Sequence, residues 1–410
     1  MGDHQLNKPM NSCSLCGQCT VVCPNGFDMA RVCHLARQNM VSTDKMPLAP
    51  HEFALLDMLF SNSEAFLARP QPGFETCQYV FFPGCQASAI APETVKAAYL
   101  DLCERLEGGV ALMLGCCGAI GDWAGRYQMQ EQTKKFLMQE LSKLGNPIVI
   151  AGCPTCRKEL SELEGAETVG IWDILLKLGL PKGGHALERP AAMHDSCGAR
   201  GDAQTRAAIR ELAERLGCEL VDTPYSGDRS PCCGYGGLAS FANREVAAEM
   251  TEKCLERSDA PYISYCMACR DRFARQGRES RHILELVYGT DAGAPPDISE
   301  KRYNRLTLKN GLLRELWGEE AKEMKLDYDL IFTDAARQMM DERMILVEDV
   351  IAVIEGFRQN GEAIEDEDGL LVARRRVGNA TFWVKFSRTE NGFLVLRAWS
   401  HRMRIEKREG

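Results

Sequence analysis

Of the 19 cysteines in this 410-residue chain, four form the run Cys13-x2-Cys16-x2-Cys19-x3-Cys23-Pro24. Ten more fall into two adjacent pairs, Cys116-Cys117 and Cys232-Cys233, two CxxC groups, Cys153/Cys156 and Cys266/Cys269, and the leading Cys85 and Cys197. Thiolates are soft donors that select zinc, copper(I) or iron-sulfur clusters. The first run is an iron-sulfur signature, because thiolates at that spacing wrap a loop around a 4Fe-4S cubane; a zinc knuckle or a disulfide is the bland alternative. In two-cluster proteins the fourth cysteine of such a run serves the other cluster, and no second run follows here. We expect Cys23 to close the local cluster, with Cys33 or Cys77 as remote alternatives.

The other ten cysteines repeat. Cys85, the pair at Cys116 and the CxxC at Cys153 recur at Cys197, Cys232 and Cys266, offset by 112, 116 and 113 residues. Two copies of one module therefore stand in tandem, and each reads as alternating strands and helices with cysteines where strands stop. In the first copy the strands are Tyr79 to Phe82, Val110 to Leu114 and Ile148 to Ala151. In the second they are Ala191 to Met193, Glu219 to Asp222 and Tyr262 to Ser264. Strand-helix alternation implies parallel pairing, and ligands of such sheets bind beyond the carboxyl ends of the strands. Five thiols per copy can thus converge on one spot, one more than zinc or a cubane takes. The excess points to a larger or distorted cluster with bridging thiolates. Cys33, Cys77, Cys103, Cys218 and Cys254 read as small buried hydrophobes. His194 and Asp195, just before Cys197, are candidate proton donors to a departing thiolate, with bracing of the turn as the plainer role.

The patterns Cys-x30-Cys-Cys-x35-Cys-x2-Cys and Cys-x34-Cys-Cys-x32-Cys-x2-Cys, each with Gly after its pair, resemble the tandem cysteine-rich CCG domains of heterodisulfide reductase catalytic subunits. With the N-terminal run, the chain is similar to fused versions carrying a ferredoxin-like segment, and to the iron-sulfur subunits of glycolate oxidase, anaerobic glycerol-3-phosphate dehydrogenase and benzoyl-CoA reductase electron-transfer complexes. The resemblance implies a noncubane 4Fe-4S cluster on Cys85, Cys116, Cys117, Cys153 and Cys156, and a second on Cys197, Cys232, Cys233, Cys266 and Cys269. It implies that such clusters contact a disulfide and split it one electron at a time. Two features depart from the pattern: the x30 and x32 loops are short, and the second ferredoxin run is missing.

The elements that must hold these sites divide the chain into a ferredoxin-like segment (1–78), two CCG domains (79–188 and 189–291), a linker (292–327) and a small α+β domain (328–410). The expected class is α/β. Hydrophobic content of 45% with 26% charged residues excludes disorder, collagen and coiled coil as the main architecture. In the last domain an amphipathic helix from Asp334 to Arg358 precedes three strands, Leu370 to Val377, Thr381 to Arg388 and Phe393 to Trp399. Ten Lys/Arg between Leu371 and Gly410, with Trp383, Phe386 and Trp399 among them, suggest docking to an acidic partner subunit, against a solvated sheet face or RNA binding.

The net charge of −9 argues against broad nucleic-acid or anionic-membrane binding, and no apolar run approaches the roughly 20 residues of a bilayer span. A cytoplasmic protein is expected, peripheral to a membrane only through a partner. Gly234-Tyr235-Gly236-Gly237 lacks the order of a dinucleotide fingerprint, so a flavoprotein or an NAD(P)H-linked subunit must supply electrons. The reading is an iron-sulfur oxidoreductase subunit that reduces a disulfide or another two-electron acceptor. The alternatives are a conduit feeding a quinone or another reductase, and a thiol-based redox sensor or scaffold.

Overall fold

The cysteine-bearing loops hang from two parallel sheets. The computed structural model describes residues 3–46, 50–320 and 325–403; the basic tail at 404–410 lies outside them. The N-terminal segment supplies helices α1 (Met29–Ser42) and α2 (Glu52–Ser61). The first copy then runs β1 (Leu67–Arg69), β2 (Tyr79–Phe82), α3 (Pro92–Arg105), β3 (Val110–Leu114), α4 (Tyr127–Lys143), β4 (Ile148–Ala151), α5 (Pro154–Ser161), β5 (Thr168–Gly170) and α6 (Ile171–Leu178). Its sheet has the order β1-β3-β2-β4-β5. All its pairs are parallel except β1 on β3.

The second copy runs β6 (Ala191–His194), α7 (Ala203–Arg215), β7 (Leu220–Val221), α8 (Arg244–Leu255), β8 (Tyr262–Ser264), α9 (Met267–Arg275), β9 (Ser280–His282) and α10 (Ile283–Tyr288). Its sheet, β7-β6-β8-β9, is parallel throughout. The class is α/β, as the strand-helix alternation predicts. Pro92 starts α3 where a missing N–H costs nothing. The Asp202 carboxylate caps α7, accepting from the Thr205 N–H at 2.9 Å. Tyr99, Trp172, Leu212 and Tyr265 sit in one apolar core that both copies share.

The segment expected to be a linker differs. Helix α11 (Ile298–Leu312) continues into a turn of π-helix at Leu313–Trp317, and from Arg302 to Glu320 it belongs to the same compact unit as Met1–Pro295. Leu308, Leu312 and Leu313 are buried, and Trp317 stacks on Tyr99 with ring centroids 6.4 Å apart. Its apolar stripe needed a partner and found one on the first copy.

Pro296–Lys301 and Ala321–Gly410 form the second unit. Here β10 (Asp329–Phe332) pairs parallel with β14 (Gly392–His401), followed in the sheet by β13 (Ala380–Arg388), β12 (Leu371–Val377) and β11 (Ile364–Glu365). Two helices cover it, α12 (Asp334–Arg343) and α13 (Val347–Asn360), where the sequence suggests one. Met344 takes φ +56 between them, and the Asp349 carboxylate caps the second by accepting from the Leu346 N–H at 2.9 Å. The break turns Ile345 into the core, where it is 1% exposed.

Candidate metal centres

In the first copy, β2, β3 and β4 lie side by side and release their cysteines at the same sheet edge. Gly84 follows β2 at φ +89, and a Cβ there would come within 3.0 Å of Cys156 Sγ, so glycine lets the backbone approach the thiol. After β3 the Asn62 side chain brackets Cys116, accepting from its N–H at 2.7 Å and donating to its carbonyl at 3.1 Å. Gly118, at φ +92, turns the chain away. Past β4, Cys153 and Cys156 flank the first turn of α5. The sulfurs form a run of neighbours: Cys85 against Cys116, Cys116 against Cys117, Cys117 against Cys156, and Cys156 against Cys153. Hydrogen bonds from Cys116 and Cys156 pull the Cys117 thiol down, and the same sharing pushes Cys116 and Cys156 up.

The second copy repeats the arrangement. Cys197 lies against Cys232, Cys232 against Cys233, and Cys269 reaches Cys233 at 3.1 Å between sulfurs, with Cys266 beside Cys269. Cys232 and Cys269, donating to it, pull the Cys233 thiol down.

One separate site per copy is the expectation from sequence; the structure joins them. Cys153 lies against Cys266, so the thiols of both copies form one continuous series. The cause is reciprocal packing: helix α5 meets the Cys197–Ala199 turn, and α9 meets the Cys85–Ile90 helix. At the first contact a Cβ on Gly198 would sit 2.6 Å from Thr155 Oγ1. A cavity of about 70 Å³ opens among Cys85, Cys117, Cys153 and Cys156, with Tyr235, Cys266 and His282 of the second copy in its wall.

The N-terminal run joins the series at its other end. Cys16 lies against Cys232, and Arg200 donates to the Cys16 carbonyl at 2.6 Å. Cys13 accepts from the Leu15 N–H at 3.4 Å and touches Cys33. Cys19 is exposed and Cys23 half-buried. Cys77 faces the Gln71 N–H at 3.4 Å instead of the run.

Neither His194 nor Asp195, the candidate proton donors, lines the cavity. Asp195 accepts both guanidinium nitrogens of Arg210, at 2.8 and 2.6 Å, the Gly227 N–H at 2.6 Å and the Tyr265 hydroxyl at 3.2 Å. Burial pushes its carboxyl up, but Arg210 and these donors outweigh that and hold it below the ordinary range; it braces the turn as a carboxylate. His194 packs on Phe273, with its Nδ1 facing Arg257 and Cys254 at 3.2 and 3.5 Å. Burial, then Arg257, drives its pKa down to about 3, so it stays a neutral imidazole and is no ready acid.

Three residues escape sequence reasoning. Tyr235 and His282 line the cavity from the second copy. Arg37, with no exposed surface, donates to the carbonyls of Met10, Cys13, Trp123 and Gly237. The lone signal was the glycine-rich setting of Tyr235.

The donor set fits clusters. The series is composed of thiols, the soft ligands that iron-sulfur chemistry uses, and the first copy's five surround the cavity. Among the described residues, no three His, Cys, Asp or Glu side chains close on a point that would hold a single ion. Residues 79–161 and 191–272 each match the cysteine-rich domain family CCG. The chain carries two such domains in tandem. Residues 1–28 match a 4Fe-4S dicluster domain. No curated protein matches the chain. Together these domains mark an iron-sulfur electron-transfer protein of the oxidoreductase kind. Among the described residues no helix is long and apolar enough to cross a membrane.

Proposed function

We propose that this chain is an iron-sulfur subunit resembling heterodisulfide reductase, which takes electrons from a flavoprotein or NAD(P)H-linked partner and reduces a disulfide or another two-electron acceptor. Cys13, Cys16, Cys19 and a fourth thiolate would hold a 4Fe-4S cubane. Cys85, Cys116, Cys117, Cys153 and Cys156 would hold one noncubane 4Fe-4S cluster, and Cys197, Cys232, Cys233, Cys266 and Cys269 the other. When bound, these groups supply electrons one at a time.

The observation that carries the reading is the unbroken thiol series, from Cys16 against Cys232 to Cys153 against Cys266, ending at a cavity walled by both copies. Cleaving a disulfide consumes two electrons and two protons and yields two thiols, so two one-electron centres beside one cavity suit it. Ala119, Ile120, Trp123 and Met267 make much of the wall apolar, which excludes water from the reacting sulfurs. Tyr235 and Gln86 are polar-tipped side chains of that wall, Gln86 Nε2 donating to Cys85 Sγ at 3.9 Å.

The test is anaerobic purification, iron and sulfide analysis, and reduction of a panel of disulfides with dithionite as donor. Turnover of a disulfide that stops in Cys117→Ser and Cys233→Ser supports the reading. Stoichiometric zinc with little sulfide refutes it.

A further inference from the structure

The fourth ligand of the N-terminal site is left open by spacing alone, because the fourth cysteine of such a run serves a second cluster in two-cluster proteins and no second run stands here for Cys23 to serve. Helix α1 offers another thiol. Its buried residues are Cys33, Arg37 and Met40, spaced four and three apart on one face, and this face meets the cysteine loop. Cys33 is 3% exposed. Its sulfur touches that of Cys13 and stands near that of Cys19. One turn on, Arg37 pins the loop to the helix by donating to the Cys13 carbonyl at 2.6 Å.

Cys23 sits differently. Its sulfur takes the backbone N–H groups of Asn25, Gly26 and Phe27 in its own turn, and its surroundings, Val21, Val22, Phe27 and Met29, are exposed. The sequence preference for Cys23 follows from spacing along the chain; the helix brings a more distant thiol closer to the loop's interior.

We propose that Cys13, Cys16, Cys19 and Cys33 are the four ligands of the N-terminal cluster, leaving Cys23 a free, half-buried thiol. The assignment rests on the reading that this segment holds a cluster. It is tested in the full-length protein, purified anaerobically, as wild type, Cys23→Ser, Cys33→Ser and Cys33→Ala. The readouts are iron content, the EPR spectrum of the reduced protein, and iodoacetamide labelling mapped by peptide mass.

Cys23→Ser is expected to keep the N-terminal signal and its iron. Both Cys33 variants are expected to lose that signal or convert it to a three-iron form, while the signals of the two cysteine-rich domains persist and report an intact fold. In the wild type, Cys23 is expected to label and Cys33 to stay protected until a chelator strips the iron. Loss of the N-terminal signal in Cys23→Ser, or its survival in the Cys33 variants, overturns the assignment alone. If the Cys33 variants lose every signal, labelling decides: a protected Cys23 with a labelled Cys33 in the wild type overturns it. A wild type without any N-terminal cluster signal overturns both this assignment and the reading beneath it.

Discussion

Replacing Arg37 by leucine tests whether one buried guanidinium holds the N-terminal segment in place. Its five bonds run to Met10 at 3.1 and 2.9 Å, Trp123 at 2.7 Å, and Gly237 and Cys13 at 2.6 Å each. Leucine leaves four main-chain carbonyls without that donor, at about 1–3 kcal/mol for each one left buried. Burial opposes the charge, pulling the guanidinium below its ordinary pKa, so removing it recovers part of the loss. The expected net destabilisation is about 3–5 kcal/mol, a large share of the roughly 5–15 kcal/mol that holds a domain. Lysine, with three donors instead of five, should restore less than half. The assay is urea unfolding under anaerobic conditions with hydrogen exchange over residues 3–46. Those amides should lose protection first, before the sheet of either copy. A Leu variant within about 1 kcal/mol of wild type, with unchanged exchange in that segment, would refute the claim.

Asp57→Asn should cost about 3–5 kcal/mol, because it strips the buried Arg305 of a carboxylate that takes its Nη1 at 2.9 Å through both oxygens. Burial raises the Asp57 carboxyl, but Arg305 and Arg302 pull it below its ordinary value. Its contribution is therefore present above about pH 4 and lost as pH falls through the lowered value, which melts between pH 5 and 2 will show as a steeper acid loss in wild type than in Asp57→Asn. His34 sits 3.1 Å from Asp122, and that bond raises its pKa. The pair should add about 1 kcal/mol below pH 6.5 and lose it as pH rises through the raised value, a dependence that His34→Gln abolishes in the same melts. In the second unit, Phe386→Ala should cost about 3–5 kcal/mol, since this ring has no exposed surface and packs edge-on against Phe357 and Phe393; calorimetry should show that unit's transition fall while the other stays. Metal analysis of the wild type should find about twelve iron atoms per chain with matching sulfide, and a chelator should bleach the colour.

The repeat, the strands and the cysteine loops that follow them were legible because buried parallel strands are continuous apolar runs, and all six core strands begin and end within a residue of the pattern. Val110–Leu114 and Ile148–Ala151 match residue for residue. Edge strands such as Leu67–Arg69 and Asp329–Phe332 were invisible, being three or four residues long and set by a partner strand instead of by their own alternation. The joining of the two cysteine sets was equally hidden, since the Cys153 to Cys266 contact depends on how two sheets face each other and no local pattern encodes that. Proximity to a cysteine suggested proton chemistry for His194 and Asp195; only the surrounding Arg210, Arg257 and Phe273 reveal them as bracing. Arg37 and Arg305 carry no signal in the sequence, since the carbonyls and the carboxylate they serve come from distant parts of the chain.

The Arg305 contact to Asp57 and to the Cys85 carbonyl spans 248 and 220 residues of chain, and Arg37 meets Gly237 across 200. On the ribosome, synthesis at about 5–20 residues per second separates Asp57 from Arg305 by about 12–50 seconds. From the synthesis of Cys156 to that of Arg305, about 7–30 seconds at the same rate, the thiols of the first copy have been made but lack the helix that backs Cys85. The backing of this wall is complete only once α11 has emerged, so the order of the polypeptide sets when the first copy's thiols gain their last support. A stall or cleavage before residue 305 would leave a cysteine-rich, unbraced intermediate, the species most exposed to oxidation and to capture by the wrong metal.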